Sequence, residues 1–339
     1  MTAPFFSICI AAYNANRYIG DCLFSIASQT CQDYEVVVVD DGSPEPLFIP
    51  SDITDVLSSC RIIRTENCGP YAARQCAYRE AVGEVILTVD ADDELSNPRA
   101  LENIFLEFKC DADVVFFNAT SLKSSSSVVL DFSGFVSYGD FLSASIWDVF
   151  TTSSTLNSLW CKAFRRNLIV ASEKKSRPRL LMAEDRLQSL EVMAEARSFK
   201  LIKEPLYYYR PNPASTINAG YDPSYYFQQC YVEAEVLNFM HKHNMSLSGW
   251  AAYFLSLTSN VLLGIRYNSS LMRDERVAAY KAMIEEPVLR RAFSYFDGAK
   301  LRRVDTLRLN LLCAEQFTLL DVSMLPWRVG STLKHLLVN

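Results

Sequence analysis

The run Val85-Ile86-Leu87-Thr88-Val89, stopping at Asp90-Ala91-Asp92-Asp93-Glu94, constrains the fold of this chain more than any other stretch. Consecutive apolar and β-branched residues without alternation predict a strand buried on both faces, as in a parallel sheet covered by helices. Four acids in the five residues after it predict a polar site at the strand's carboxyl end, where open α/β sheets bind their ligands. Carboxylates this close repel one another unless a cation or donors join them, and oxygen ligands suit Mg²⁺ or Mn²⁺. The same residues also fit a plainer description, an acidic turn ahead of the helix-start signal Ser96-Asn97-Pro98.

The flanking segments repeat the pattern. Phe5 to Ala11 predicts a first buried strand with a turn at Ala12-Tyr13-Asn14, and Ile19, Cys22, Leu23, Ile26 and Ala27 recur at helical spacing. Glu35 to Asp40 predicts a second strand closing on Asp41-Gly42-Ser43-Pro44, a strand-helix-strand unit suited to a right-handed parallel crossover. Arg61 to Thr65 predicts a short strand, Tyr71 to about Val82 a helix, Leu101 to Phe108 another, and Asp113 to Ala119 a strand. Neither G-x-G-x-x-G nor G-x-x-x-x-G-K-[ST] occurs, which argues against dinucleotide enzymes and P-loop NTPases. Arg74, in the first turn of its helix, opposes the helix dipole and is either a surface residue or aimed at a negative group such as a diphosphate.

Bulk properties narrow the classes further. The 339 residues suffice for an α/β domain plus an appendage, and a net charge of −6 argues against nucleic acid. The ten cysteines are scattered, with no Cys-x-x-Cys, and read as reduced, mostly buried thiols. Three histidines make a zinc site improbable. Strand-like sequence begins at Phe5 without a basic lead, so a cytoplasmic protein is expected.

Four pieces in order, Ala12-Tyr13-Asn14, Val39-Asp40-Asp41-Gly42-Ser43, Gly69 with Ala73-Arg74, and Gly83-Glu84 leading to Asp90-Ala91-Asp92-Asp93, resemble the family 2 glycosyltransferases, which have the GT-A fold. The resemblance implies that Ala11, Tyr13, Asp41 and Arg74 hold the nucleotide and that Asp90 and Ala91 face the ribose or sugar. Asp92 and Asp93 would hold Mn²⁺ or Mg²⁺ on the diphosphate. Ala11-Ala12 stands where the family often has proline and threonine, and Gln75 follows Arg74 where asparagine is usual.

A second region, Asn157 to Arg166 and then Met182 to Arg186 with a helix through Ala196, resembles the acceptor side of these enzymes. Glu184-Asp185 matches the pair that carries the catalytic base; transfer needs the acceptor hydroxyl deprotonated as it attacks, and Asp185 is the first choice, with Glu184 second. Pro205, Tyr207-Tyr208-Tyr209-Arg210 and Ser215-Thr216 resemble the segment that closes the catalytic domain in bacterial capsule, exopolysaccharide and O-antigen enzymes. The tyrosines could stack on a sugar or fill alternating faces of an edge strand. Ser121 to Ser127 reads as a loop, and Val128 to Phe150 as a strand, a glycine turn and a helix.

From Tyr221 the chain becomes helical. Asn244 to Ile265 holds no charged residue, but its six Ser, Thr and Asn side chains from Ser246 to Asn260 favour a helix buried in a bundle over a membrane span. Basic residues beyond Lys300 (Arg302, Arg303, Arg308, Arg328, Lys334), mixed with Trp327, could rest peripherally on an anionic membrane or form a solvated helix pair. We therefore expect an α/β GT-A catalytic domain over 1–215 and a mostly helical extension over 216–339. The expected activity is inverting, metal-dependent transfer from a nucleotide sugar, with UDP as the expected nucleotide, to a glycan or lipid-linked glycan. A sugar-nucleotide pyrophosphorylase should carry a glycine-rich basic loop after the first strand; a catalytically silent glycan-binding protein would need none of the acids retained here.

Overall fold

The structure is a computed structural model that describes residues 3–57, 59–121, 144–169, 177–211, 222–267, 271–298 and 301–325. The chain divides into two compact units, residues 1–150 with 154–212, and 151–153 with 213–339. The strand and glycine turn expected between Val128 and residue 143, Ser215-Thr216, the boundary at 215, and the basic tail with Trp327, Arg328 and Lys334 lie outside the described residues.

The first unit is built on an eight-stranded mixed sheet. Its strands are β1 (Phe6–Ala12), β2 (Tyr34–Asp40), β3 (Cys60–Arg64), β4 (Val85–Thr88), β5 (Glu94–Leu95), β6 (Val114–Thr120), β7 (Lys162–Arg165) and β8 (Phe199–Tyr208), in the order β3-β2-β1-β4-β7-β6-β8-β5. Strands β3, β2, β1 and β4 run parallel, with Ala12 opposite Asp40 and Cys9 opposite Thr88. The carboxyl ends of β1, β2 and β4 therefore share one edge of the sheet, and Tyr13, Asp41 and Asp90 follow those ends. The continuous apolar runs of β1, β2 and β4 are buried almost throughout, as covered parallel strands require.

Helices α1 (Ile19–Ala27), α3 (Pro70–Glu80) and α4 (Ala100–Phe108) fall where their periodicity places them; α2 (Ser51–Thr54) is a single turn. Helix α1 buries Ile19, Cys22, Leu23 and Ile26, the stripe expected of its spacing. Gly83 lets the turn before β4 pass against β1: a Cβ there would lie 2.7 Å from the Ser7 nitrogen and the Phe6 carbonyl carbon. The Gly83 and Val82 N–H groups donate to Ser7 Oγ (2.8 Å) and Glu35 Oε1 (2.7 Å), and Ser7 Oγ donates to Glu35 (2.6 Å). These bonds tie the starts of three strands together and hold the Glu35 carboxyl below its ordinary range, against the burial that would raise it.

Two features depart from the expectation. The segment Asn157 to Arg166 contains β7, which is antiparallel to both neighbours and sits between β4 and β6. Strand β8 is interior, pairing parallel with β6 and antiparallel with β5, so Tyr207 and Tyr208 are not on an edge strand. Helices α5 (Ala144–Thr152) and α6 (Glu184–Glu195) complete the described elements of this region. All ten cysteines are free thiols, but only Cys9, Cys22, Cys161 and Cys230 are buried, whereas Cys68, Cys110 and Cys313 are exposed, which corrects the expectation that most are buried.

The second unit consists of α7 (Ser224–Lys242), α8 (Ser248–Tyr267), α9 (Arg273–Glu285), α10 (Pro287–Tyr295), α11 (Arg303–Cys313) and α12 (Phe317–Ser323). Helix α8, the uncharged stretch, packs against α7, α9, α10 and α11. It buries Trp250, Phe254, Leu255, Val261, Leu262 and Ile265, with Tyr253 and Leu257 only half-buried. Three of its polar groups bond within buried surroundings: Ser259 Oγ donates to the buried Asp305 (2.7 Å), Thr258 Oγ1 to the Phe254 carbonyl (2.9 Å), and the Trp250 indole to Glu233 (2.9 Å). Arg302 and Arg308 of the basic segment also pair with Asp305. Among the described residues, no helix is long and apolar enough to cross a membrane.

Candidate functional site

The acidic turn after β4 is shaped by hydrogen bonds that its own sequence does not announce. The Asp93 N–H donates to the Asp90 carbonyl (3.0 Å), closing the turn. The Tyr207 hydroxyl, fully buried on β8, accepts from the Asp90 N–H (3.0 Å) and donates to Asp93 Oδ2 (2.9 Å). Trp160 stacks on the Tyr207 ring at 4.8 Å between centroids, fixing its plane. Arg210 closes the other side: its N–H donates to Asp93 Oδ1 (2.8 Å), its Nε to the Asp92 carbonyl (2.9 Å), and its Nη2 to Glu94 (2.6 Å) and Asp21 (2.9 Å).

Both Asp93 oxygens thus have protein donors inside a buried setting. Burial foremost, then the Asp90 charge, pushes the Asp93 carboxyl up to about 8 despite those donors. A carboxylate so engaged is a brace of the turn, which counts against the expectation that Asp93 serves as a metal ligand beside Asp92. Asp92 is half-buried, and Ala91 is buried between them.

Arg74 brings the first acidic region to the second. Its side chain, 8% exposed, lies 3.4 Å from Asp90, 3.3 Å from Glu184 and 2.5 Å from Asp185. Nη1 also reaches Gln188 Oε1 (3.5 Å), and the Gln188 amide donates to the Tyr71 carbonyl (3.3 Å), linking α6 to the start of α3. The guanidinium expected to face a diphosphate is instead surrounded by three carboxylates, while its buried Nε has no acceptor among the described residues. One cation among three carboxylates leaves the cluster negative. Burial, partly offset by Arg74 and reinforced by Asp185 and Asp92, raises the Asp90 carboxyl to about 6. Burial, with the Asp185 charge and against Arg74, raises Glu184 to about 8.

Glu184 and Asp185 open α6 immediately after Ala183, whose φ of 62° is left-handed without being glycine. Such a backbone costs on the order of 1 kcal/mol and is retained where the surroundings enforce it. Asp185 is the more accessible of the pair, with 30% of its side chain exposed against 13% for Glu184.

The remaining expected residues surround the ends of β1 and β2. Tyr13 is 51% exposed. Ala11 lies within β1, paired with Val39. Asp41 is buried and accepts from the backbone N–H groups of Cys68 (2.8 Å) and Gly69 (2.9 Å), so its carboxylate organises the turn into α3. Gly42 permits that approach: at φ +68° any Cβ would fall 2.6 Å from the Asn67 nitrogen. The structure therefore gathers Arg74, Asp90, Glu184 and Asp185 into direct contact, joins Asp93 to them through Tyr207, and sets Asp41 and Tyr13 at the neighbouring strand ends. The sequence reading placed Tyr207 and Arg210 in the segment closing the domain and Trp160 within the acceptor-side segment, without assigning them to the acidic turn, and gave Gln188 no role; a tyrosine and an arginine ending a strand after Pro205 were the visible signal. Among the described residues, no group of three or more His, Cys, Asp or Glu side chains could hold a metal ion by itself.

Comparison with known proteins bears on the same region. The model of the family described as glycosyl transferase family 2 matches residues 7–167. EpsH of Bacillus subtilis (strain 168), named for glycosyl transfer, is 28% identical over 220 residues, 64% of this chain and 64% of its own. TarS of Staphylococcus aureus (strain MW2), a poly(ribitol-phosphate) β-N-acetylglucosaminyltransferase, is 26% identical over 208 residues, 60% of this chain and 35% of its own. The match therefore spans less than two thirds of either curated relative. The crystal structure of S. aureus TarS 1–349 with UDP-GlcNAc superposes with a TM-score of 0.69 at 21% identity, over 96% of this chain and 92% of that one.

Proposed function

We propose that this chain transfers a sugar from a nucleotide-sugar donor to a hydroxyl of a glycan or lipid-linked glycan during cell-surface polysaccharide synthesis; the match of residues 7–167 to the model of glycosyl transferase family 2 and the GT-A fold support this reading. The observation that carries this reading is the meeting of Asp90, at the end of β4, with Glu184 and Asp185, at the start of α6, across the single guanidinium of Arg74. A site for displacement at an anomeric carbon needs a carboxylate base near the donor's place, and this arrangement supplies one. UDP is the proposed nucleotide, since TarS of the same fold binds UDP-GlcNAc.

Asp185 is proposed as the base. It is the more exposed of the two acids, whereas Glu184, raised to about 8, holds its proton near neutrality and cannot accept another. Arg74 holds the Asp185 carboxylate on one oxygen and orients it. The acceptor hydroxyl gives its proton to Asp185 as its oxygen attacks the anomeric carbon from the face opposite the leaving diphosphate. One displacement inverts the configuration. Tyr13 is proposed to cover the nucleobase, with Asp41 and Ala11 beside it; Asp90 and Ala91 would face the ribose and sugar.

A divalent cation fits this donor set. Asp92 is a hard oxygen ligand beside Asp90 and Asp93, whose carboxyls are raised first by burial and then by neighbouring negative charge, Asp92 included. With Asp93 engaged by protein donors, the protein contributes one or two carboxylates, the usual case where Mg²⁺ or Mn²⁺ arrives on substrate phosphates. Asp92, with Asp90 as its neighbour, would hold that ion, which would supply Lewis-acid stabilisation to the departing diphosphate.

The test is donor binding and turnover measured together. UDP should raise the melting temperature only when Mn²⁺ or Mg²⁺ is present. Asp92→Ala should remove that metal-dependent shift, whereas Asp185→Asn should keep it and lose turnover by at least 100-fold, the lower end of what a positioned base contributes. A fully active Asp185→Asn enzyme would move the base elsewhere.

A further inference from the structure

We propose that the cavity between α3 and residues 177–180 is an anion subsite that takes a phosphate group of a substrate. The cavity has a volume of about 410 Å³, within the range of small-molecule sites. Arg79 of α3 lines it, as do Arg177 and Arg179 from the stretch ahead of α6, and none of the described residues lining it is acidic. This charge is opposite to that of the acid cluster around Arg74, one turn along α3 from Tyr71, which also lines the cavity.

The three guanidiniums differ in a way that suits an oxyanion. Arg177, its side chain 6% exposed, is fixed by Nε and Nη2 bonds to Glu191 Oε1 (3.1 and 2.7 Å), while the Tyr71 hydroxyl donates to Oε2 (2.9 Å). That carboxylate offsets one positive charge of three. Arg79 donates through Nε to the Gln75 carbonyl (3.3 Å), and Arg179 through Nη2 to Asn67 Oδ1 (2.5 Å). Among the described residues, neither Arg79 nor Arg179 has a carboxylate within 4.0 Å, although the chain as a whole is acidic. Two guanidiniums without acid partners line one cavity, one from α3 and one from residues 177–180, beside a third held by Glu191, and such groups donate readily to phosphate oxygens.

The inference rests on the transferase reading above for what the phosphate belongs to. A phosphate could come from the donor's diphosphate or from a phosphate-bearing acceptor, and both present the same oxygens to the arginines. The cavity adjoins the Asn67–Gly69 turn that Asp41 fixes, so either source can lie within reach of the strand ends.

The experiment is calorimetric titration of the full chain with inorganic phosphate at constant ionic strength, repeated with saturating UDP and Mn²⁺. Wild type should bind phosphate saturably, and Arg79→Gln/Arg179→Gln should bind it at least 10-fold more weakly with an unchanged melting temperature, since neither arginine leaves an unpaired acid behind. Gln75→Glu, which places a carboxylate in the same cavity, is the second variant should the first fold poorly, and it should weaken binding likewise. Phosphate that still binds in the presence of UDP assigns the subsite to the acceptor; phosphate displaced by UDP assigns it to the donor's diphosphate. Absence of phosphate binding by wild type, or equal binding by wild type and variants, overturns the proposal. Phosphate binding as expected with no affinity for UDP would instead remove the donor reading and leave the subsite standing.

Discussion

Tyr207 does more for the acidic turn than any of the acids do for themselves. Its hydroxyl is the hinge between the Asp90 N–H and the Asp93 carboxylate, and among the described residues no second donor reaches Asp93 Oδ2. Tyr207→Phe keeps the stack on Trp160 but strands a buried acceptor and a donor; unfolding in urea should show a loss of about 1–3 kcal/mol. The acids also set a pH dependence. Asp90, Asp93 and Glu184 are raised to about 6, 8 and 8 from ordinary values of 3.8, 3.8 and 4.5, so the folded protein keeps protons that the unfolded chain releases. Their contribution to stability is full below the ordinary carboxylate range and is lost as pH rises through 6 to 8. Asp40 and Glu35 are lowered, by hydrogen bonds and arginines that outweigh burial, and contribute the opposite slope, lost as pH falls below their ordinary values. Calorimetric scans without ligand should therefore show the highest melting temperature on the acid side of neutrality, and Asp90→Asn should flatten the decline toward pH 8. At this scale the sequence was legible in kind but not in assignment. Asp92 and Asp93 are indistinguishable as neighbouring acids; only the partners of Asp93, reached from β8 and Arg210, distinguish them.

Helix α6 carries both candidate bases, and its position depends on a buried lysine. Lys162 of β7 is fully buried, and its ammonium donates to the carbonyls of Leu156 (2.8 Å) and Ser158 (2.7 Å) and to Ser189 Oγ (2.7 Å). Ser189 passes the connection to the Asn157 carbonyl (2.6 Å), and Arg186 donates to Asn157 Oδ1 (3.0 Å) and the Phe150 carbonyl (2.6 Å). These bonds anchor the buried face of α6 one turn from Asp185. Lys162→Met fills the same space but leaves acceptors unmet; it should cost about 3 kcal/mol in chemical denaturation and lower kcat more than it raises the donor KM. Elements with a local signature were readable directly, β1, β2 and β4 from continuous apolar runs and α1 and α4 from helical spacing. Strand β7 was not, because four residues paired antiparallel inside an otherwise parallel run have no periodicity of their own; the interior place of β8 depends on a partner, β6, that lies 85 residues away at Val114 and Phe199.

For the whole molecule, the division into an α/β unit and a helical unit followed from the change of pattern near Tyr221, since long helical periodicity persists after it. The exact limits were not legible, as compactness depends on which residues touch and Thr151–Ser153 group with the later unit. The α/β unit needs its last strand. A chain ended at residue 198 would retain every acid of the candidate site yet lack β8 and Arg210, and it should show no UDP-dependent rise in melting temperature with Mn²⁺, whereas the intact protein should. The clamp that Arg210 places on the Asp92 carbonyl joins positions 118 residues apart, which has a consequence for biosynthesis. At about 5–20 residues per second, a ribosome delivers the arginine roughly 6–24 seconds after the acids. During that interval the nascent chain displays a cluster of mutually repelling charges without the Arg210 clamp, so a turn translated in the first third of the chain is among the last pieces of the centre to take its final form.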